Sequence, residues 1–339
     1  SRQLLTELMP QLLHALASTA NPDFAFAKFD EFLSRLPAGV QLLSLLHANP
    51  NLLDLVAMVM GNAPLLADWL SRNPHLLDYV LSDVFERPLE DGETMETDLR
   101  EALKEADHFE HILDITRRWT NDHKFRIGIQ VLRGITDGIA AGLALTSVAE
   151  TVIRVLVPAV EDEFTAQHGR IAGAGMSAIA YGKLGSEELG YHSDLDIVFV
   201  FDESSESENT ELSTRRHYYR RLVQRLTHIL TTRTSAGEVY EIDTRLRPSG
   251  NSGTVVTPLP VYAEYLKESA WTWEHQALVR ARLVVGHEPL QRKFSNIRRV
   301  ILSQPRDNEK LHQDLCQMRQ RMRDHYRSCL LYTSPSPRD

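Results

Sequence analysis

Asp194 and Asp196 stand one leucine apart at the head of the apolar run SDLDIVFVF, shortly after the stretch GKLGSEEL at Gly182–Leu189. Side chains at i and i+2 of a strand share a face, so these two carboxylates are expected to point the same way. Bare carboxylates side by side repel, and partial burial raises that cost. A divalent cation relieves it, and magnesium takes one or two carboxylates together with substrate phosphates. A third acid, Asp243, lies in the alternating stretch YEIDTRLR, where Glu241, Asp243, Arg245 and Arg247 are expected on one side. Placed beside the first strand, it adds a carboxylate to the pair and arginines near a polyphosphate. Three convergent acids suit a two-metal centre that clamps the attacking and leaving oxygens of an in-line phosphoryl displacement.

Gly185 and Ser186 supply the other half of that site. Glycine lets backbone N–H groups approach phosphate closely, and a helical turn over SEEL would offer its positive end. The stretch is not a P-loop, because it lacks the GK[ST] ending. An isolated acid pair or glycine turn is common in proteins. The expectation rests on their combination with a third acid on a later strand.

The elements that must position these residues follow from periodicity. Leu4, Leu5, Leu8, Leu12 and Leu13 recur at helical spacing, as do Phe26, Phe29 and Phe32. NPNLLD (Asn49–Asp54) and NPHLLD (Asn73–Asp78), with NAPLLAD between them, predict helices opened by an asparagine cap and a first-turn proline. LEDGETME (Leu89–Glu96) reads as a polar linker, with helices resuming from Thr97 to about His168. The middle of the chain reads as strand (Met176–Leu184), turn, strand (Ser193–Phe201), an acidic loop DESSESENT, a helix (Glu211–Arg233) and a third strand (Glu238–Leu246). On that helix Tyr219, Leu222, Val223, Leu226, Ile229 and Leu230 form the apolar stripe. Arg215, Arg216, Arg220, Arg221 and Arg225 lie off it. Helix returns from about Pro260.

Bulk properties narrow the class. With 339 residues there is material for two or three domains. A net charge of −9 argues against a nucleic-acid-coating surface. Cys316 and Cys329 form no CxxC pair, which excludes a zinc cluster and fits a reducing compartment. No apolar run approaches the roughly 18 residues of a spanning helix, and the amphipathic start carries acid, unlike a signal peptide. A soluble, cytoplasmic protein without membrane contact is expected.

Gly185-Ser186, seven residues, then Asp194-Leu195-Asp196-Ile197 resembles the signature of the polymerase-β-like nucleotidyltransferase superfamily. More narrowly, YGKLGSEELGYHSDLDIVF, YEIDTRLRPSGNSG and AWTWEHQALVRARLVVG are similar to the glutamine synthetase adenylyltransferase family over most of residues 1–327. Members carry two such domains, one attaching AMP to a tyrosine of glutamine synthetase and one removing it by phosphorolysis. This chain holds one GKLG…DLD set and looks closer to the carboxyl-terminal, adenylylating copy.

The resemblance implies an α+β fold: a nucleotidyltransferase domain with a short mixed sheet, flanked by mainly helical domains. The corresponding boundaries are a helical domain at 1–110, the catalytic domain with leading helices at 111–290 and the start of a further helical domain at 291–327. A tail of non-native appearance follows at 328–339. ATP is the implied substrate and Mg²⁺ the implied cofactor, with glutamine synthetase and the PII signalling protein as partners and no nucleic acid. Asp194 and Asp196 would hold Mg²⁺, and Asp243 would complete the metal site or help deprotonate the attacking hydroxyl. Gly185 and Ser186 would contact the triphosphate. Arg245 and Arg247 would contact phosphate or pair with nearby acids, and Lys183 would be solvated. Trp271 and His275 share a helical face and are expected in the core, with Arg280 and Arg282 at the site rim. The competing expectation is a regulatory module of the same fold that binds nucleotide and partner without turnover.

Overall fold

The computed structural model describes residues 2–330 apart from 36–38, 74–75, 78–86, 170, 172–174, 203–211, 233–238 and 287. The chain divides into two compact units. One comprises Ser1–Val155 with Glu188–Tyr191 and Arg233–Val239; the other comprises Leu156–Glu187, His192–Thr232 and Tyr240–Asp339. The acidic loop after Asp202, Pro74, His75 and Asp78 of the NPHLLD signature and most of the expected tail lie outside the described residues.

The first unit is helical among its described residues: α1 (Arg2–Ala17), α2 (Pro22–Arg35), α3 (Gly39–Ala48), α4 (Pro50–Asn62), α5 (Pro64–Arg72), α6 (Gly92–Leu103), α7 (Phe109–Leu132) and the first part of α8 (Gly138–His168). Its core gathers Leu8, Leu12 and Leu16 with Phe29, Phe32 and the leucines of α4 and α5. The predicted stripes are shifted by one position in places: Leu13 and Phe26 face solvent, while Ala25 takes the inward place. Proline opens α4 and α5 as expected, but the asparagines work elsewhere. Asn49 makes no side-chain cap, Asn62 accepts from the Ala20 N–H, and Asn73 donates to Trp69 O at the end of α5.

LEDGETME is not a free linker. Asp91 accepts from the Thr94 N–H at 2.8 Å and caps α6, which begins at Gly92. The residues before it are fastened to α7 by Arg126, which donates to Glu90 Oε1 and Pro88 O, and by Gln130, which donates to Arg87 O. The helix α8 is long and apolar enough to cross a bilayer, contrary to the expectation that no run approaches that length. Of its most apolar window, 72% is buried within the protein, as in the core helix of a globular domain.

The second unit carries a mixed five-stranded sheet: β1 (Met176–Ala180), β2 (Leu195–Phe201), β3 (Ile242–Asp243), β4 (Val256–Pro258) and β5 (Arg282–Val285). β1 lies between β2 and β5, antiparallel to both, and β3 and β4 run parallel to β2. Every residue of β1 is buried, and in β2 only Asp196 is not. The apolar runs therefore fill the sheet's centre, as their hydrophobic character requires. Around them stand α10 (Leu212–Thr231), α11 (Leu259–Glu268), α12 (Thr272–Leu278), α13 (Glu288–Leu302) and α14 (Asn308–Leu330). The stripe on α10 is buried as predicted. Arg215 joins it at 4% exposure, because it stands one helical turn before Tyr219.

Two local expectations are corrected. The helical turn is α9 (Gly182–Gly185) itself and not SEEL, and Glu187 at φ 60° ends it. The third strand shrinks to Ile242–Asp243, since the Asp243 carboxylate accepts the Arg245 N–H at 2.8 Å and turns the chain out of the ladder.

Candidate active site

All the acids singled out by the sequence come together at one end of β2. Asp194 immediately precedes the strand and is exposed, and Asp196 is its second residue and half-buried. Leu195 between them is fully buried on the opposite face, which fixes both carboxylates to the same side. β3 brings the third acid alongside: Asp196 pairs in register with Asp243, and the Leu195 N–H donates to Glu241 O at 2.9 Å.

The carboxylates differ in what satisfies them. No hydrogen bond among the described residues reaches the carboxylate of Asp194 or Asp196. Burial, then the charges of Asp194 and Asp243, push Asp196 up to about 6, against the opposing pull of Arg245 and Lys183. Asp243 is held below its ordinary range by the side-chain hydrogen bond from Arg245. Arg245 Nε donates to Asp243 Oδ2 at 2.7 Å and Nη2 donates to the same oxygen. The described side chains contain no group of three or more His, Cys, Asp or Glu able to hold a metal ion. Asp243 is turned to Arg245, while Asp194 and Asp196 are not engaged in this way. The remaining pair, two hard oxygen donors without partners and one of them disfavoured as an anion, has the chemistry of a divalent-cation site.

The glycine turn abuts this pair through Gly182. That residue has φ +52°, and a Cβ added there would overlap Asp196 Oδ2. The Tyr181 N–H donates to Asp196 O at 2.9 Å, tying the turn's entry to the same strand residue. Gly185 and Ser186 are placed differently from expectation. Their N–H groups donate to Tyr181 O and Gly182 O, and Ser186 Oγ also donates to Gly182 O. Gly185 is needed for packing, since a Cβ would collide with Arg280 O. Lys183 is exposed, with Nζ 3.5 Å from Ser193 Oγ.

The arginines divide as well. Arg245 is exposed and paired with Asp243. Arg247 is buried and serves the RPSGNSG loop, donating to Thr244 O, Thr244 Oγ1, Gly253 O and Asn251 O; it does not share a face with Arg245. Arg280 is exposed, and Arg282 is half-buried on β5. Trp271 is not in the core but 65% exposed, just before α12, where its N–H donates to Glu274 Oε2. His275 is half-buried, with Nε2 2.6 Å from Leu266 O and Nδ1 facing Arg306.

Comparison with known proteins gives this arrangement its context. The family model described as glutamate-ammonia ligase adenylyltransferase matches residues 53–297. The chain belongs to that family. It is 42% identical over 323 residues to the bifunctional glutamine synthetase adenylyltransferase/adenylyl-removing enzyme of Brucella suis. The namesakes from Brucella melitensis and Mesorhizobium japonicum are 42% and 40% identical. Each alignment covers 94% of this chain and 33% of the relative, so the chain spans about a third of the length of the curated relatives it matches.

Proposed function

We propose that this chain is an adenylyl-transferring segment on a polymerase-β-like nucleotidyltransferase framework, moving AMP from ATP to a tyrosine of glutamine synthetase in the cytoplasm. Its activity answers to nitrogen supply through the PII protein. Family membership and the names of the relatives support the reaction class. The observation that carries the site is the partnerless pair Asp194/Asp196 beside Gly182, flanked in register by Asp243.

In this reading the tyrosine hydroxyl gives up its proton to solvent, its oxygen bonds to the α-phosphorus, and the α–β bridging oxygen leaves with pyrophosphate. Asp194 and Asp196 would hold Mg²⁺, and Asp243 would join them as a third ligand with Arg245 turned to the substrate phosphates. Magnesium, when bound in a two-ion centre, stabilises both the attacking and the leaving oxygen. The exchange of partners moves only the arginine, whose side chain is 72% exposed, while the Asp243 carboxylate stays in place at 12% exposure. Gly185 and Ser186 act by shaping the turn that faces the triphosphate, and Arg247 acts by holding the following loop.

The test is transfer of label from α-phosphate-labelled ATP to purified glutamine synthetase with Mg²⁺, beside Asp194→Asn. Label with the unaltered chain alone supports the proposal. Equal label with Asp194→Asn overturns the assignment of the acids. A chain that binds ATP and glutamine synthetase but transfers no label favours the regulatory module.

A further inference from the structure

We propose that Arg282 is a positioning residue that locks the Gly182–Gly185 turn, and through Gly182 the Asp196 carboxylate, into place. The inference rests on the nucleotidyltransferase reading above and assigns Arg282 a task that a rim residue would not have. Arg282 opens β5 in register with Ala180, the last residue of β1, from which the turn departs. Its Nε donates to Gly185 O at 3.0 Å and its Nη2 donates to Leu184 O at 2.9 Å. Nε also stands 3.6 Å from Glu187 Oε1.

Those acceptors lie at the end of a single turn. A helix leaves its last carbonyls without partners of its own, and here the chain reverses at Glu187, φ 60°, before another turn can serve them. Leu184 O otherwise receives the Glu187 N–H at a long 3.4 Å and the Ser186 N–H from only two residues on. A half-buried guanidinium presents rigid, charged donors to both carbonyls, and these bonds help offset its own desolvation. Contact runs on from there without a gap. Gly185 lies where a Cβ would strike Arg280 O, so the strand entry packs directly on the turn, and Gly182 lies where a Cβ would strike Asp196 Oδ2. Release of the carbonyls frees the turn to rotate against the Asp196 carboxylate. Lysine keeps the charge but cannot present the two-point fork, so Arg282→Lys repairs the defect only in part.

Amide hydrogen exchange and ligand affinity in the full chain test this, with Arg282→Gln and Arg282→Lys. In Arg282→Gln, exchange across 182–187 should accelerate about tenfold while β1 and the buried part of β2 keep their protection. Affinity for Mg²⁺–ATP should fall about tenfold and affinity for adenosine by less than about twofold, with Arg282→Lys between the two. Unchanged exchange at 182–187, acceleration spread equally over the sheet, or parallel loss of ATP and adenosine would each overturn the proposal. Should Arg282→Gln fail to fold, Arg282→Lys carries the same comparison. An unaltered chain that binds no ATP contradicts the nucleotide reading itself, and the exchange measurement then decides the role of Arg282 alone.

Discussion

Glu90 in the helical unit and Asp196 in the sheet unit are both partly buried carboxylates, and their surroundings treat them in opposite ways. Glu90 stands beside His123 and accepts from Arg126 at 2.8 Å, which together hold it down at about 2. Burial and two neighbouring acids push Asp196 up to about 6. One carboxylate is matched by the fold and fastens a connecting segment. The other receives no hydrogen bond among the described residues, and Arg245 and Lys183 only partly oppose its rise. A perturbed acid without a protein partner, in the company of others like it, marks a place built for a ligand, whereas a perturbed acid in an ion pair marks architecture.

The sharpest break of this contrast is Asp196→Asn. Adenylyl transfer should fall by at least about 100-fold, in line with removal of a charge-stabilising group. The thermal midpoint should hold or rise, since a repelled, partly buried charge is removed. A lower midpoint with transfer retained would make Asp196 architectural. Next in size, Gly182→Ala forces a Cβ onto Asp196 Oδ2 at a left-handed φ. It should cost about 1–3 kcal/mol of stability in chemical denaturation and reduce transfer, with ATP affinity following. Full activity there would show that the turn and the carboxylate are independent.

The smallest effect belongs to the matched acid. Glu90→Gln should lower stability by about 1 kcal/mol at neutral pH and leave nucleotide binding unchanged, the side chain being 34% exposed and its pairing screened. Its folded pKa lies below the unfolded one, so its stabilisation is complete above about 4.5 and disappears as pH falls toward about 2. Denaturation curves of the two proteins should converge over that interval. Curves that stay apart at pH 2 would mean that Glu90 acts through packing and not through its charge.

Much of this was legible in residue spacing. The i, i+2 rule fixed Asp194 and Asp196 to one face, and alternation around Ile242 brought Asp243 next to them, because a buried Leu195 or Ile197 leaves a strand no choice of face. What spacing does not show is where a side chain spends its hydrogen bonds. Asp243 uses its carboxylate on its own turn and on Arg245, which shortens the strand and moves Arg247 into a loop. Gly185 appeared as a phosphate-approach glycine but is required by Arg280 O, a contact from 95 residues away in sequence. The repeated arginines of VRAR hinted at the site, yet nothing local distinguishes the exposed Arg280 from Arg282. Only the strand register does so. In the helical unit, Pro50 and Pro64 open their helices as read, whereas Asn49 makes no side-chain cap and Asn73 closes the helix before it by donating to Trp69 O.

If Asp194 and Asp196 stand ready for a cation carrying a nucleotide, calorimetric titration of Mg²⁺–ATP into the chain, into Asp196→Asn and into Glu90→Gln will show it. A single site is expected in the chain and in Glu90→Gln, lost in Asp196→Asn. Equal binding by Asp196→Asn would contradict it.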